Sequence, residues 1–320
     1  MVSPNQCKTV LDQPQGVEAV PKGGEQSQQK ARESRRMALL RRAGMVGGDT
    51  SNILVRRAVN GADLERAYRL VYETFFERGY IDANRFGIRI RPFEALPEMA
   101  TFVAEVDRRI VGVMSIVPDS EDVGLPSDGA FGEELGELRS SGRRVAEVTN
   151  LAIAPEYRRS GVLMEMARPV HAHALAMDYD DIFIAISPGH AGFFEDILQF
   201  DPQGSARSYS AEKTDIVEGK RWNLRTLEGR LREADAALGH DAFLHHHFYA
   251  GNACHLYVRP WATIARRAFL DVEVLRRLFV ERSDLLQRCT EAQREAIGRR
   301  WGDVIFRAVY EEQMADLALA

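Results

Sequence analysis

Apolar residues recur along this chain at helical spacing in some stretches and at alternate positions in others, and the switches between the two divide it into elements. The first ordered element is a strand at Ile53 to Val59. A helix follows from Asp63 to Phe76, where Leu64, Ala67, Tyr68, Val71, Phe75 and Phe76 fall on one side. Residues 79–98 are a long loop rich in Gly, Pro and aromatics, a length that favours a lid or a substrate contact. Met99 to Val106 and Ile110 to Val117 alternate as a hairpin closed at Asp107, Arg108 and Arg109, the start of an antiparallel meander. Turn chemistry fills Pro118 to Gly129, and a short helix over residues 132–142 precedes a strand from Val145 to Ala154. Behind that strand, Leu163, Met166, Val170, Ala174 and Met177 mark a helix over Gly161 to Met177, in which Pro169 predicts a kink or an interruption. Asp181 to Ser187 is continuously apolar and reads as a strand buried on both faces. A helix from about Ala191 to Leu198 and a weaker strand at Gly204 to Glu212 complete this part.

From Leu224 onward the pattern is helical, with candidates at Leu224–Leu238, Ala242–Tyr249, Trp261–Phe279 and Glu291–Met314. The chain therefore divides into a mobile polar arm (1–50), an α/β domain (51–220) and a helical C-terminal region (221–320). The C-terminal helices read either as packed on the α/β domain or as a self-association surface. The arm's Arg cluster, Lys30 to Ala43, reads as a solvated face or as a contact for an acidic partner or anionic lipid, a peripheral membrane surface included.

A formal net charge of -5 with 28% charged residues is not a nucleic-acid signature. Three cysteines, Cys7, Cys254 and Cys289, form no CxxC pair and suit a reducing cytoplasm. No run approaches the roughly 18 apolar residues that span a bilayer, and the N-terminus carries no export signal pattern.

Chemistry concentrates at Arg143 to Ser160. Period-two alternation puts Glu147 on a face with Val145, Thr149, Leu151 and Ile153, so a carboxylate lies on a largely apolar surface, while Asn150 falls on the other face. Burial of that kind raises a carboxylate's pKa toward the range of a general base. The turn Arg158-Arg159-Ser160-Gly161 then aims free backbone N–H groups and a helix N-terminus at an anion. A base beside an anion-receptive turn suits acyl transfer from a phosphopantetheine thioester.

The order of these elements resembles the GCN5-related N-acyltransferase fold, which implies a mixed, largely antiparallel central sheet flanked by helices, here with a helical C-terminal extension. Within that superfamily the chain resembles the long-chain N-acyl amino acid synthases, relatives of the acyl-homoserine-lactone synthases. The matching stretches are residues 68–81, 101–120, the Gly124-Leu125-Pro126 turn, 142–159 and the Pro188-Gly189-His190 element. In the wider fold the turn reads R/Q-x-x-G-x-G/A and holds coenzyme A pyrophosphate; Leu163 stands here where a small residue is expected. The lactone synthases carry E-x-S-R on the central strand, and this chain has Glu147-Val148-Thr149-Asn150. The resemblance thus implies a transfer enzyme with no permanently bound cofactor, taking a long acyl chain from acyl carrier protein to the amine of a small amino acid. Acetyl transfer from coenzyme A and a non-catalytic carrier- or lipid-binding module are the alternatives.

Within this reading Glu147 is the base or the orienter of a water, set against a structural salt bridge to Arg143 or Arg69. Arg158, Arg159, Ser160 and Gly161, with Arg143 and Arg144, contact the donor phosphate or the carrier. Arg69 takes the acceptor carboxylate, unless it pairs with Glu73, and Tyr72, Phe75 and Tyr80 line the acceptor pocket. Thr149, Asn150 and His190 are further candidates at the strand ends. His245, His246 and His247, near His240 and His255, point in three directions on a helix, and no metal site is expected.

Overall fold

The computed structural model describes residues 23–209, 215–239 and 243–310. Helix α1 (Gly23–Arg42) is followed by β1 (Leu54–Arg57) and α2 (Gly61–Glu77), whose N-terminus is capped by Asn60 accepting from the Asp63 backbone N–H at 2.8 Å. Next come β2 (Ala100–Val106), β3 (Arg109–Pro118), α3 (Asp128–Ser140), β4 (Val145–Ile153), α4 (Val162–Ala176), β5 (Asp181–Ile186) and α5 (Pro188–Asp196). Strands β6 (Asp201–Ser208) and β7 (Ile216–Asn223) close the sheet. The C-terminal helices are α6 (Leu224–Leu238), α7 (His255–Phe269), α8 (Val272–Arg276), α9 (Leu285–Arg288) and α10 (Glu291–Trp301).

The seven strands run in the order β1-β2-β3-β4-β5-β7-β6, and only the β4–β5 pair is parallel. This is the mixed, largely antiparallel sheet expected from the resemblance. The β2–β3 turn places Asp107 and Arg108 at φ 50° and 64°, the two left-handed positions of a tight hairpin. Parallel pairing joins Val145 to Asp181, Ala146 to Ile182 and Glu147 to Phe183, then ends, although β4 runs on to Ile153 and β5 to Ile186. The sheet therefore opens as a wedge with Glu147 at its apex.

Apolar cores lie on both faces of the sheet. One gathers α2, α3, α8, α9 and α10 around Tyr68, Phe131, Phe183, Phe279 and Trp301; the other gathers α1, α4, α5 and α6 around Met37, Met166, Ile182, Trp222 and Phe248. Helix α4 lies close on β3 because Gly112 leaves room: a Cβ there would sit 2.7 Å from Met166 Sδ and 2.8 Å from Val162 Cγ1. Gly204 and Gly219 make the same kind of space for the rings of Phe131 and Phe183.

Three expectations need correction. Residues 23–50 are not a free arm: Met37 and Val46 are buried and Arg36 pairs with Asp196 of α5, because the basic helix has an apolar side that finds the sheet. Residues 1–22 lie outside the described residues. The boundary at 220 falls inside β7, a strand hidden by its charges; Lys220 is buried because Glu195 and Glu218 pair with it at 2.5 and 2.6 Å. Helix α4 is not interrupted at Pro169 and continues to Ala176, because packing on the sheet holds the turns on either side of it. Of the two readings of the C-terminal helices, packing on the α/β domain is the one observed: Arg277 and Arg282 join Arg69 around Glu65, and the Trp301 indole donates to the Ala95 carbonyl at 2.8 Å.

The tight approach at Gly112 predicts that Gly112→Ala lowers unfolding free energy by about 1–3 kcal/mol through overpacking. Denaturant titration measures this, and adding Val162→Ala is expected to return part of the loss; an unaltered midpoint in the single variant contradicts the packing described.

Candidate active site

The loop from Gly124 to Ser127 exists to bring one residue to Glu147. Gly124 turns at φ +69°, in a space where a Cβ would strike the Asp128 carboxylate, and Asp128 accepts from the Leu125 backbone N–H at 2.7 Å while Arg139 holds its other side. Ser127 then gives Glu147 two hydrogen bonds: its hydroxyl donates to Oε1 at 2.8 Å and its backbone N–H to Oε2 at 2.9 Å. Glu147 is 2% exposed and forms neither of the salt bridges weighed for it. Arg143 is bound instead to Asp181, and Arg69 to Glu65 at 3.0 Å rather than to Glu73. Burial raises the Glu147 pKa from the ordinary 4.5 to about 7, outweighing the two Ser127 hydrogen bonds and the charge of Arg91, which lower it.

Beside it the sheet breaks its alternation. Ser115 faces Thr149 and Val113 faces Ala152, so β4 carries an extra residue there, and Asn150 takes φ +54°. This bulge turns Asn150 to the side of Thr149: the Arg91 Nη2 lies 3.2 Å from Asn150 Oδ1 and 3.5 Å from Thr149 Oγ1. The simple strand period had put these two side chains on opposite faces.

Asn150 is the hub of a polar cluster that sequence reasoning missed. Its Oδ1 also accepts from Arg89 Nη1 at 2.8 Å, and its Nδ2 donates to Glu94 Oε1 at 2.9 Å and to Ser115 Oγ at 3.4 Å. Ser115 in turn bonds Thr101 across the sheet at 3.0 Å. Arg91 and Glu94 pair at 2.8 Å with Glu94 buried, and that pairing holds the Glu94 carboxyl below its ordinary range against the opposing effect of burial. The signal was present as Arg-Ile-Arg-Pro-Phe-Glu in a long loop inside a compact domain, but nothing local says that those charges turn inward.

Of the aromatic candidates, Phe75 reaches this cluster, lying 5.0 Å under the Arg89 guanidinium, and Tyr80 meets Phe75 edge-on. Tyr72 stacks on Phe76, and its hydroxyl accepts from the Asn84 backbone N–H at 3.3 Å, so it shapes the loop. Tyr209 adds a hydroxyl that donates to the Pro126 carbonyl at 3.0 Å, behind Ser127.

The turn at the start of α4 is more occupied than expected. Arg158 pairs with Glu77 at 2.7 Å, the Ser160 hydroxyl donates to the Tyr157 carbonyl at 2.7 Å, and Gly161 abuts the Thr50 methyl, while the Thr50 hydroxyl reaches Glu165 at 3.2 Å. Arg159 and Arg144 are exposed. Arg143 serves the sheet, binding Asp181, Asn223 and the Asp180 carbonyl. His190 takes a 2.8 Å hydrogen bond with Ser187 at the start of α5. His245 pairs with Glu228 and His247 with the Met164 carbonyl; among the described residues no three His, Cys, Asp or Glu side chains converge as a metal site, and His240 lies outside them. Among the described residues, no helix is long and apolar enough to cross a membrane.

The raised pKa fixes the sign of a stability effect. The folded state keeps the Glu147 proton up to about pH 7, whereas the unfolded chain releases it near 4.5, so the stability it supports is full below pH 4.5 and is lost as pH rises to 7. Relative to Glu147→Gln, wild-type stability is expected to fall by about 3 kcal/mol across that window and then level off. Chemical denaturation of both proteins from pH 4 to 8 checks it; parallel profiles contradict the assignment.

Residues 66–217 match the family model described as N-acyl amino acid synthase FeeM. Among solved structures the chain is similar to FeeM, an N-acyl amino acid synthase from uncultured soil microbes, at 23% identity over 55% of this chain and 93% of that one, with a TM-score of 0.49. It is also similar to the AHL synthase LasI, at 15% identity over 59% and 95% of the two chains and a TM-score of 0.43. The CoA-dependent acyl-homoserine lactone synthase BjaI, solved with SAM and isopentyl-CoA, aligns at 16% identity over 56% and 88%, with a TM-score of 0.39. No curated protein matches the chain by sequence. The matched segment, just under half of the chain, runs from α2 into β7 and takes in the whole of the Glu147 site; over these residues the chain is similar to the N-acyl amino acid synthase FeeM family, and the enzyme is an N-acyltransferase.

Proposed function

We propose that this enzyme transfers a long acyl chain from an acyl carrier protein thioester to the amine of an amino acid. The observation that carries the reading is Glu147, held by Ser127 at the point where β4 and β5 part. A thioester laid into that wedge presents its carbonyl carbon to an amine beside Glu147. The amine nitrogen attacks, the carbon–sulfur bond breaks, and the proton lost by nitrogen passes through Glu147, directly or by a water, to the leaving thiolate. A carboxyl with a pKa near 7 can both accept and return that proton.

Carrier protein is favoured over coenzyme A by the crowded turn. Thr50 fills the space beside Gly161, and Leu163 stands where the fold's phosphate turn has a small residue. The exposed Arg108 and Arg109 of the β2–β3 hairpin adjoin this turn through the Arg109–Glu156 pair, and with Arg159 they form a basic edge for an acidic carrier. A carrier donor fits a cytoplasmic location, and no bound cofactor is called for.

The test pairs purified protein with acyl carrier protein thioesters and, separately, with acyl-coenzyme A, following N-acyl amino acids by mass spectrometry. Product from the carrier thioester is expected, with Glu147→Gln lowering kcat by about a hundredfold or more while carrier affinity is retained. Preference for acetyl-coenzyme A contradicts the donor assignment, and full activity in the Gln variant contradicts the role of Glu147.

A further inference from the structure

Among the described residues, the ion pairs around Glu147 leave one guanidinium, that of Arg89, without a hydrogen-bonded negative partner. Both Glu94 oxygens are in use: Oε1 takes Arg91 Nη2 and Asn150 Nδ2, and Oε2 takes the Arg91 backbone N–H at 2.6 Å and its Nε at 3.3 Å. Glu147 is satisfied by Ser127. Arg89, by contrast, makes one side-chain hydrogen bond, to the neutral Asn150 Oδ1, which it shares with Arg91. Its remaining support is the Phe75 ring beneath it. A guanidinium has five N–H donors in a planar fork, and a charge withdrawn from water is ordinarily matched by an anion. Burial, followed by the nearby Arg91 charge, pulls the Arg89 pKa down to about 10, while the charges of Glu94, Tyr209 and Glu147 act in the opposite sense. Arg89 is partly buried rather than sealed.

We propose that Arg89 is the specificity residue for the acceptor, an anion subsite in which its guanidinium binds the acceptor's carboxylate while Glu147 serves the acceptor's amine. The proposal rests on the amino acid reading above and gives its binding step an address. A planar carboxylate matches the guanidinium fork bidentately, which a lysine ammonium does not reproduce. The cradle is prearranged: Phe75 stacks on one face of the guanidinium, Asn150 fixes one edge through the β4 bulge, and Arg91, locked to Glu94, adds positive potential without competing for the ligand. Arg69, the residue the sequence suggested for this task, is committed to Glu65 beside Arg277 and Arg282.

The experiment uses the full chain, an accepted acyl donor, and matched acceptors: the standard amino acids and their primary amides, which keep the amine and side chain but lose the carboxylate charge. Wild type is expected to show a KM for the best amino acid at least about tenfold below that for its amide. Arg89→Gln should raise the acid KM about tenfold or more and leave the amide KM and the thermal midpoint little changed, with Arg89→Lys recovering only part of the loss. Calorimetric binding of the acid without donor should weaken in parallel. If wild type acylates acid and amide with equal KM, or if Arg89→Gln affects both alike, the carboxylate subsite is overturned and the synthase reading stands. If wild type acylates no amino acid from either donor, the synthase reading itself fails, and that shows as absent product rather than as a changed KM.

Discussion

Everything at this site depends on keeping one carboxylate out of water with two neutral hydrogen bonds. A buried Glu matched to an Arg would be permanently ionised; a buried Glu with no partner would be costly and mispositioned. Ser127 is the intermediate solution. Its N–H and hydroxyl orient both oxygens of Glu147 while leaving burial to set the proton affinity, so that the group titrates near neutrality. The Gly124 turn, the Asp128–Arg139 pair and the Tyr209 hydroxyl on Pro126 are best understood as support for that contact.

Next to the neutral partnership lies an ionic one. Arg91 and Glu94 neutralise each other, Asn150 bridges them to the sheet, and the bulge in β4 aims Asn150 at the loop. Polar groups this enclosed are stabilising only when every member finds a partner. The chain of Thr101, Ser115 and Asn150 across β2, β3 and β4 meets that condition, which leaves the incompletely matched Arg89 as the exception.

The N-terminal segment and the C-terminal helices brace the two sides of the sheet. Thr50 lies against the turn that opens α4, and Arg277 and Arg282 clasp Glu65 on α2. The donor side and the acceptor side are therefore each bordered by a part of the chain beyond the α/β elements.

Taken alone, the sequence determined the element order, the hairpin at Asp107 and Arg108 and the burial of Glu147, because each is written in local periodicity or turn chemistry, while the mixed sheet followed from the family resemblance of that order. Only the tertiary structure decided which charges meet. Lys220 on Glu195 and Arg143 on Asp181 are pairings across 25 and 38 positions, which no periodicity reports, and Arg69, with Glu65 and Glu73 each one helical turn away, takes Glu65 beside Arg277 and Arg282 of the C-terminal region. Strand β7 and the docked α1 were missed for the same reason: their charges look solvated until the opposing Glu or Asp arrives from elsewhere. Asn150 is the clearest case, since one extra residue in β4 reverses its face and joins it to Arg89 and Arg91, about 60 positions earlier in the chain.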